Sequence, residues 1–166
     1  MRKTSKRSSR VAAIQVMYQL SIMGTTPDDV VSNFKKYYLP TDETLQHMNK
    51  KFFANLVSYF NEEVRFEEII TDALSDKTRV STISCTTMCI IKVAILEMFF
   101  GKTLLPVIIN EYVEIAKYFG DQKSVSFVNA ILDRIAKGKF IVRLNDETGT
   151  QNNSPETGTQ NNSPEN

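Results

Sequence analysis

Histidine and cysteine are scarce in this chain of 166 residues: His47 is the single histidine, and Cys85 and Cys89 are the two cysteines. One histidine supports neither a histidine-rich metal site nor a serine–histidine relay with a spare base. The cysteines are four residues apart on one face of an expected helix. With no further thiols to complete a zinc site, they read as buried free thiols. Long apolar runs are missing too. Nothing approaches the ~18 uninterrupted apolar residues of a membrane span. A basic start followed by an apolar stretch imitates a signal peptide, but Gln15 and Gln19 interrupt it and no small-residue cleavage site follows. The expectation is a mature helix in a cytoplasmic protein. No phosphate-binding glycine loop, metal cluster or activated nucleophile is recognisable, so the chain reads as a non-enzyme that needs no cofactor.

What is present is a 42% apolar chain of a length that suits one domain with a proper core. The formal net charge of +1 conceals an asymmetry. All 20 basic residues lie at or before Arg143, while Asp146, Glu147, Glu156 and Glu165 lie after it, so residues 1–145 carry 20 cations against 15 acids, a net +5. Arg2, Lys3, Lys6, Arg7 and Arg10 fall within the first ten residues. Such clustering is what a polyanion-binding arm requires.

Helical periodicity dominates the rest. From about Thr4 to Met23, Ala13, Val16, Met17 and Leu20 recur on one stripe, and Gly24 supplies a stop. Thr26-Pro27 has the form of an N-cap with proline at the first helical position, opening a short helix to about Tyr38, before Pro40. Thr41 is expected to cap the next helix. Leu45, Met48, Phe52, Leu56, Tyr59 and Phe60, then Phe66, Ile69, Ile70 and Leu74, predict two helices over 42–74 with a bend near Asn61. The stretch 81–100 is apolar around most of its circumference and should be a central buried helix, ended by Gly101. Helices over 106–119 and 124–137 complete an all-α bundle of about seven helices, and no alternating strand pattern competes. After Arg143 the composition changes: "ETGTQNNSP" occurs at 147–155 and again at 156–164. The expected organisation is a folded domain over 1–143 and a disordered low-complexity tail over 144–166.

Two places suggest function. At ~100° per residue, Lys3, Arg7, Arg10, Ile14 and Tyr18 share a stripe opposite the core stripe of the first helix. Cations with an interleaved tyrosine suit single-stranded RNA, the cations attracting phosphate and the ring stacking on a base. The same pattern also fits a solvated basic helix end with Tyr18 tucked against a neighbour. The second place is the turn Gly120-Asp121-Gln122-Lys123-Ser124 leading to Phe127. Ser124 as N-cap would leave free N–H groups for a phosphate, with Phe127 one turn inside. Phe127 equally fits a core stripe with Val128, Ile131, Leu132 and Ile135. Glu111 and Glu114, three apart on what reads as a polar face, are expected to be solvated rather than to do acid–base work.

The order of motifs resembles the NusB family of transcription antitermination proteins. The residues that carry the resemblance are the basic start leading to Gln15 and Tyr18, then Ile109-Asn110-Glu111, Ile115-Ala116-Lys117, Phe119-Gly120 and Phe127-Val128-Asn129. The likeness runs from about Lys6 to Lys137 and is carried by its two ends; between Gly24 and Thr82 only helix pattern aligns. It implies a two-subdomain helical fold and a non-enzymatic adapter that binds boxA-like single-stranded RNA jointly with NusE, the small-subunit ribosomal protein that doubles as a transcription factor. RNA would then link both proteins to elongating RNA polymerase. Carried over by position, the RNA-binding residues are Arg2, Lys3, Lys6, Arg7, Arg10, Gln15, Tyr18, Lys123, Ser124 and Phe127. There are departures from the family pattern. Thr87 stands where the family usually has an acid near the start of the central helix, and Lys92 where it has arginine. Leu104 replaces a proline and Ala130 a glycine. Lysines and serines replace part of the arginine run, which loosens bidentate phosphate contact.

Two other readings fit the residues. NusB-like helical domains also precede the catalytic domain of certain ribosomal RNA cytosine methyltransferases, so an accessory to RNA modification is one alternative, although 166 residues are too few to hold that catalytic domain as well. A purely protein-binding helical scaffold with an incidental basic arm is the other.

Overall fold

A computed structural model describes residues 5–43, 45–74, 77–119 and 122–138. The expected tail over 144–166, as well as Arg2 and Lys3, lies outside them. Seven α-helices follow one another in the described residues: α1 (Lys6–Met23), α2 (Pro27–Asn33), α3 (Lys50–Ser58), α4 (Phe66–Ala73), α5 (Cys85–Phe100), α6 (Leu105–Phe119) and α7 (Gln122–Ala136).

Local chemistry accounts for most boundaries. Ser5 caps α1, its hydroxyl oxygen accepting from the Ser8 N–H at 3.1 Å. Gly24 ends the helix at φ 60°, a left-handed conformation that costs glycine nothing. Thr26 caps α2, followed by Pro27 and by Asp28 and Asp29 in the first turn, where carboxylates complement the helix dipole. The chain then widens into a π-helical turn over Phe34–Tyr38. Thr41 does not cap the next helix. Its hydroxyl donates backwards to the Tyr38 carbonyl at 2.9 Å, and α3 waits for Asn49, whose Oδ1 accepts from the Phe52 N–H at 3.0 Å. Leu45 is therefore buried from a turn and Met48 from an isolated bridge, neither from a helix. The bend near Asn61 is a 3₁₀ turn over Tyr59–Asn61. The central helix starts later than expected, at Cys85, because Ser84 is the residue that caps it; a 3₁₀ stretch over Lys77–Thr82 precedes it.

Helix α5 is apolar all round and lies in the middle, packed by α1, α3, α6 and α7. One group of contacts joins α1 to α2 and α3; another joins α5, α6 and α7, with α4 against α7. The α1–α5 contact unites the two, which is the two-subdomain bundle expected. Residue Ser5 is pinned from outside its helix: its N–H donates to the His47 carbonyl at 2.8 Å and its own carbonyl accepts from the Asn49 N–H at 3.1 Å. That isolated parallel bridge fixes the base of α1 against the start of α3.

Candidate nucleic-acid interface

The predicted RNA stripe of α1 divides when its surroundings are considered. Arg10 is only 2% exposed. Its guanidinium grips Glu97 of α5 with two charge-assisted bonds, Nε to Oε2 at 2.9 Å and Nη2 to Oε1 at 2.7 Å. Nη1 reaches Glu111 of α6 at 3.3 Å. Phe52 and Tyr112 offer ring faces 4.9 and 5.9 Å from the guanidinium carbon. Glu97 itself is 0% exposed and also accepts from the Tyr112 hydroxyl at 2.9 Å. Burial works to lower the Arg10 pKa, but the hydrogen bond and charge of Glu97 outweigh it and the net shift is upward. Burial and the nearby Glu97 charge push the Tyr112 phenol well above its usual value. Arg10 is thus a core residue whose guanidinium is engaged by carboxylates, not the exposed cation expected on the stripe. Its place on a basic stripe was misleading because α1 has neighbours on several sides, not one.

Arg7 is different. It is part-exposed, and its Nε and Nη2 pair with Glu111 at 3.1 and 2.7 Å. That hydrogen bond holds the Glu111 carboxyl below its usual range despite partial burial. Glu111 is therefore a bridging carboxylate shared by two arginines, not the solvated charge its spacing suggested. Lys6 is exposed, its ammonium 5.2 Å from the centre of the Phe52 ring. Lys6 and Arg7 line a shallow cleft of about 450 Å³ between the bases of α1 and α6.

Eleven residues beyond Arg7, or about 17 Å along the helix at 1.5 Å per residue, Tyr18 stands 40% exposed. Together with Gln15 it lines a groove of about 410 Å³ whose far wall includes Thr86 and Phe119. Lys123, Ser124 and Phe127 line a second cleft, of about 440 Å³, with Ser84 and Thr87 on its other side. The first turn of α5 therefore forms a wall common to both, and the candidate residues of α1 and α7 flank it. Ser124 is not the cap of α7, which begins two residues earlier at Gln122; it sits within the first turn of that helix. Phe127 is half-buried, reconciling its two readings: packed against the core on one side and lining the cleft on the other.

The departures also find places. Thr87 is buried, its Oγ1 accepting from the Ser84 hydroxyl at 2.8 Å. Lys92 lays its ammonium 5.5 Å from the centre of the Phe66 ring. The cysteines do not match expectation as a pair: Cys89 is buried but Cys85, at the first position of α5, is exposed. Among the described residues no group of three or more histidine, cysteine or acidic side chains could hold a metal ion, and no helix is long and apolar enough to cross a membrane.

Comparison with known proteins decides the family. A family model described as the NusB family matches residues 7–137. The chain belongs to the NusB family. It is 33% identical over 135 residues to the transcription antitermination protein NusB of Rhizobium johnstonii, covering 78% of this chain and 84% of that protein. Its identity to the NusB of Rhizobium rhizogenes is 34% over the same length and coverage. The fold resembles the solved structure of T. maritima NusB with a TM-score of 0.65 at 27% identity, over 85% of this chain and 99% of that one. The NusB match ends at residue 137, close to where the described residues end.

The network that holds α1 in this NusB fold escaped the sequence reading. Glu97 lies inside the apolar run Ile95-Leu96-Glu97-Met98-Phe99-Phe100. A lone carboxylate in an otherwise apolar helix has to be buried with a cation, and that signal was available.

Proposed function

We propose that this chain is a non-enzymatic RNA-binding adapter in transcription antitermination of ribosomal RNA operons. It binds boxA-like single-stranded RNA together with NusE, and the RNA tethers both to elongating RNA polymerase. The observation that carries this reading, beside family membership, is the pair of clefts sharing the first turn of α5, with exposed Tyr18 in one and half-buried Phe127 in the other. Accessible aromatic faces suit unstacked bases, which single-stranded RNA offers and a duplex does not. Lys6, Arg7 and Lys123, with Arg2 and Lys3 upstream, supply the phosphate contacts. Arg10 supplies none. Gln15 and Ser124 add hydrogen-bonding groups in the clefts. The mechanism involves no bond making or breaking: two proteins present one composite surface, so each raises the other's affinity for the RNA. Position 87 offers NusE no carboxylate, so the NusE contact draws on other residues of this face.

The test is a titration of fluorescent boxA-like RNA and a scrambled control, with and without NusE, at two salt concentrations. Preference for boxA that strengthens with NusE is expected. For single strands the logarithmic salt slope is about −0.7 per phosphate contact, so Arg7→Ala should flatten it by about that much. Equal binding to both RNAs, or none even with NusE, would overturn the adapter reading.

A further inference from the structure

The groove in front of Tyr18 is more than a flat stacking platform. Three aromatic rings from three separate elements converge on it: Tyr18 of α1 at 40% exposure, Tyr38 at the end of the π-helical turn at 52%, and Phe119 at the last position of α6 at 45%. Exposure of three large rings in one concavity is unusual for a surface with nothing to bind. Tyr38 is held in orientation by stacking on buried Phe34, with ring centroids 5.9 Å apart and planes 10° from parallel. Buried Ile14 and Leu45 form apolar floor. Gln15, Gln19 and Thr86 place amide and hydroxyl groups around it, able both to donate and to accept, while Thr41, whose proton goes to the Tyr38 carbonyl, offers an acceptor oxygen. The volume of about 410 Å³ falls in the ~300–1,000 Å³ range of small-molecule sites.

Charge narrows the occupant. Among the described residues no lysine or arginine lines the groove, and Asp42 does. A phosphate would meet no cation there, whereas a flat, uncharged heteroaromatic ring with a hydrogen-bonding edge matches both the walls and the rim. We infer that this groove takes one unstacked nucleobase of the bound RNA, inserted among the rings of Tyr18, Tyr38 and Phe119, with the backbone running outside toward the cations of α1 and α7. Tyr38 and Phe119 are then base-binding residues alongside Tyr18. This inference rests on the adapter reading and deepens it.

The experiment is an abasic scan of the boxA-like RNA, in the presence of NusE, against the wild-type chain and against Tyr38→Ala, Phe119→Ala and their double variant. One abasic position should weaken wild-type binding about 5- to 150-fold, the span of one base–aromatic stack. At that position the double variant should lose almost nothing more, because the pocket is already disabled. Tyr38→Phe and Phe119→Tyr keep the rings and should bind within about twofold of wild type, which separates stacking from any effect on folding. Full affinity in both alanine variants, or an abasic penalty that is the same with and without the two rings, overturns the pocket. So does a loss of NusE affinity in the alanine variants, measured without RNA, accompanied by a flat scan, which would assign the groove to a protein side chain. If the pocket fails while boxA preference and the Arg7 salt dependence persist, the adapter reading stands. If the wild-type chain binds no RNA with NusE present, both fall.

Discussion

Replacing Arg10 tests whether the basic stripe of α1 has been divided correctly. In Arg10→Ala the Glu97 carboxylate, 0% exposed, loses two charge-assisted bonds and keeps the one from the Tyr112 hydroxyl. Breaking a buried ion pair from one side costs about 3–5 kcal/mol. A chain of this size loses about 2–4 °C of melting temperature per kcal/mol, so a fall on the order of 6–20 °C is expected. Removing the whole polar cluster is different. The triple variant Arg10→Met, Glu97→Leu, Tyr112→Phe leaves no charge behind and should recover most of the loss, since apolar replacement of a buried pair is often neutral or better. Thermal and urea unfolding of wild type, single and triple variants measure both effects. RNA binding, taken well below every melting point, supplies the functional half: the salt slope of Arg10→Ala should match wild type, whereas Arg7→Ala should be flatter by about 0.7. An Arg10→Ala protein that melts normally and loses a phosphate's worth of slope would refute the reasoning.

Other expectations follow from the same contacts. The Glu111 carboxyl is held low by its hydrogen bond to Arg7, so its folded pKa lies below the unfolded value of about 4.3. Its stabilising contribution is complete above that pH and disappears as pH falls through the folded value. The stability gap between wild type and Glu111→Gln in urea should therefore be constant near neutrality and close in strong acid; a gap that persists there contradicts the assignment. Burial pushes the Cys89 thiol up to about 11 despite the Ser21 contact, while Cys85 is exposed. An aromatic disulfide reagent should titrate Cys85 in the native protein and Cys89 only after denaturation, and equal rates would count against the packing of α5. Gly24 sits at φ 60° with nothing within 4 Å of an added Cβ. Gly24→Ala should then cost about 1–2 kcal/mol from backbone strain alone, measured as a urea midpoint shift, with Gly24→Asn costing less.

Much of the fold was legible in the sequence because its signals are local. Thr26-Pro27, Gly24 and the apolar circumference of α5 each specify their own element, and the order of motifs pointed to the family. What escaped depends on partners far along the chain. Arg10 meets Glu97 across 87 residues, which no helical period of α1 can reveal. Thr41 and Ser124 have cap-forming side chains, yet Asn49 and an earlier start of α7 prevailed, because competing polar residues a few positions apart offer the backbone alternatives. The candidate site shows the same division. Gln15, Tyr18, Lys123 and Phe127, singled out from the sequence, line the two clefts, but the convergence of Tyr38 and Phe119 on Tyr18 is tertiary and carries no linear pattern.

The bridge between Ser5 and the 47–49 segment bears on what an incoming RNA has to organise. Ordering one backbone residue from a free chain costs about 1–2 kcal/mol, a charge normally taken from the binding energy of a basic arm. Here the Ser5 backbone is held on both sides, the Ser9 hydroxyl donates to the Asn49 carbonyl at 2.9 Å, and Lys6 and Arg7 occupy the first turn of a helix already formed. The phosphate contacts proposed for them would carry no coupled folding. Binding through these two residues should thus show a small heat-capacity change and amide protection at Ser5 and Asn49 that is already present before RNA arrives.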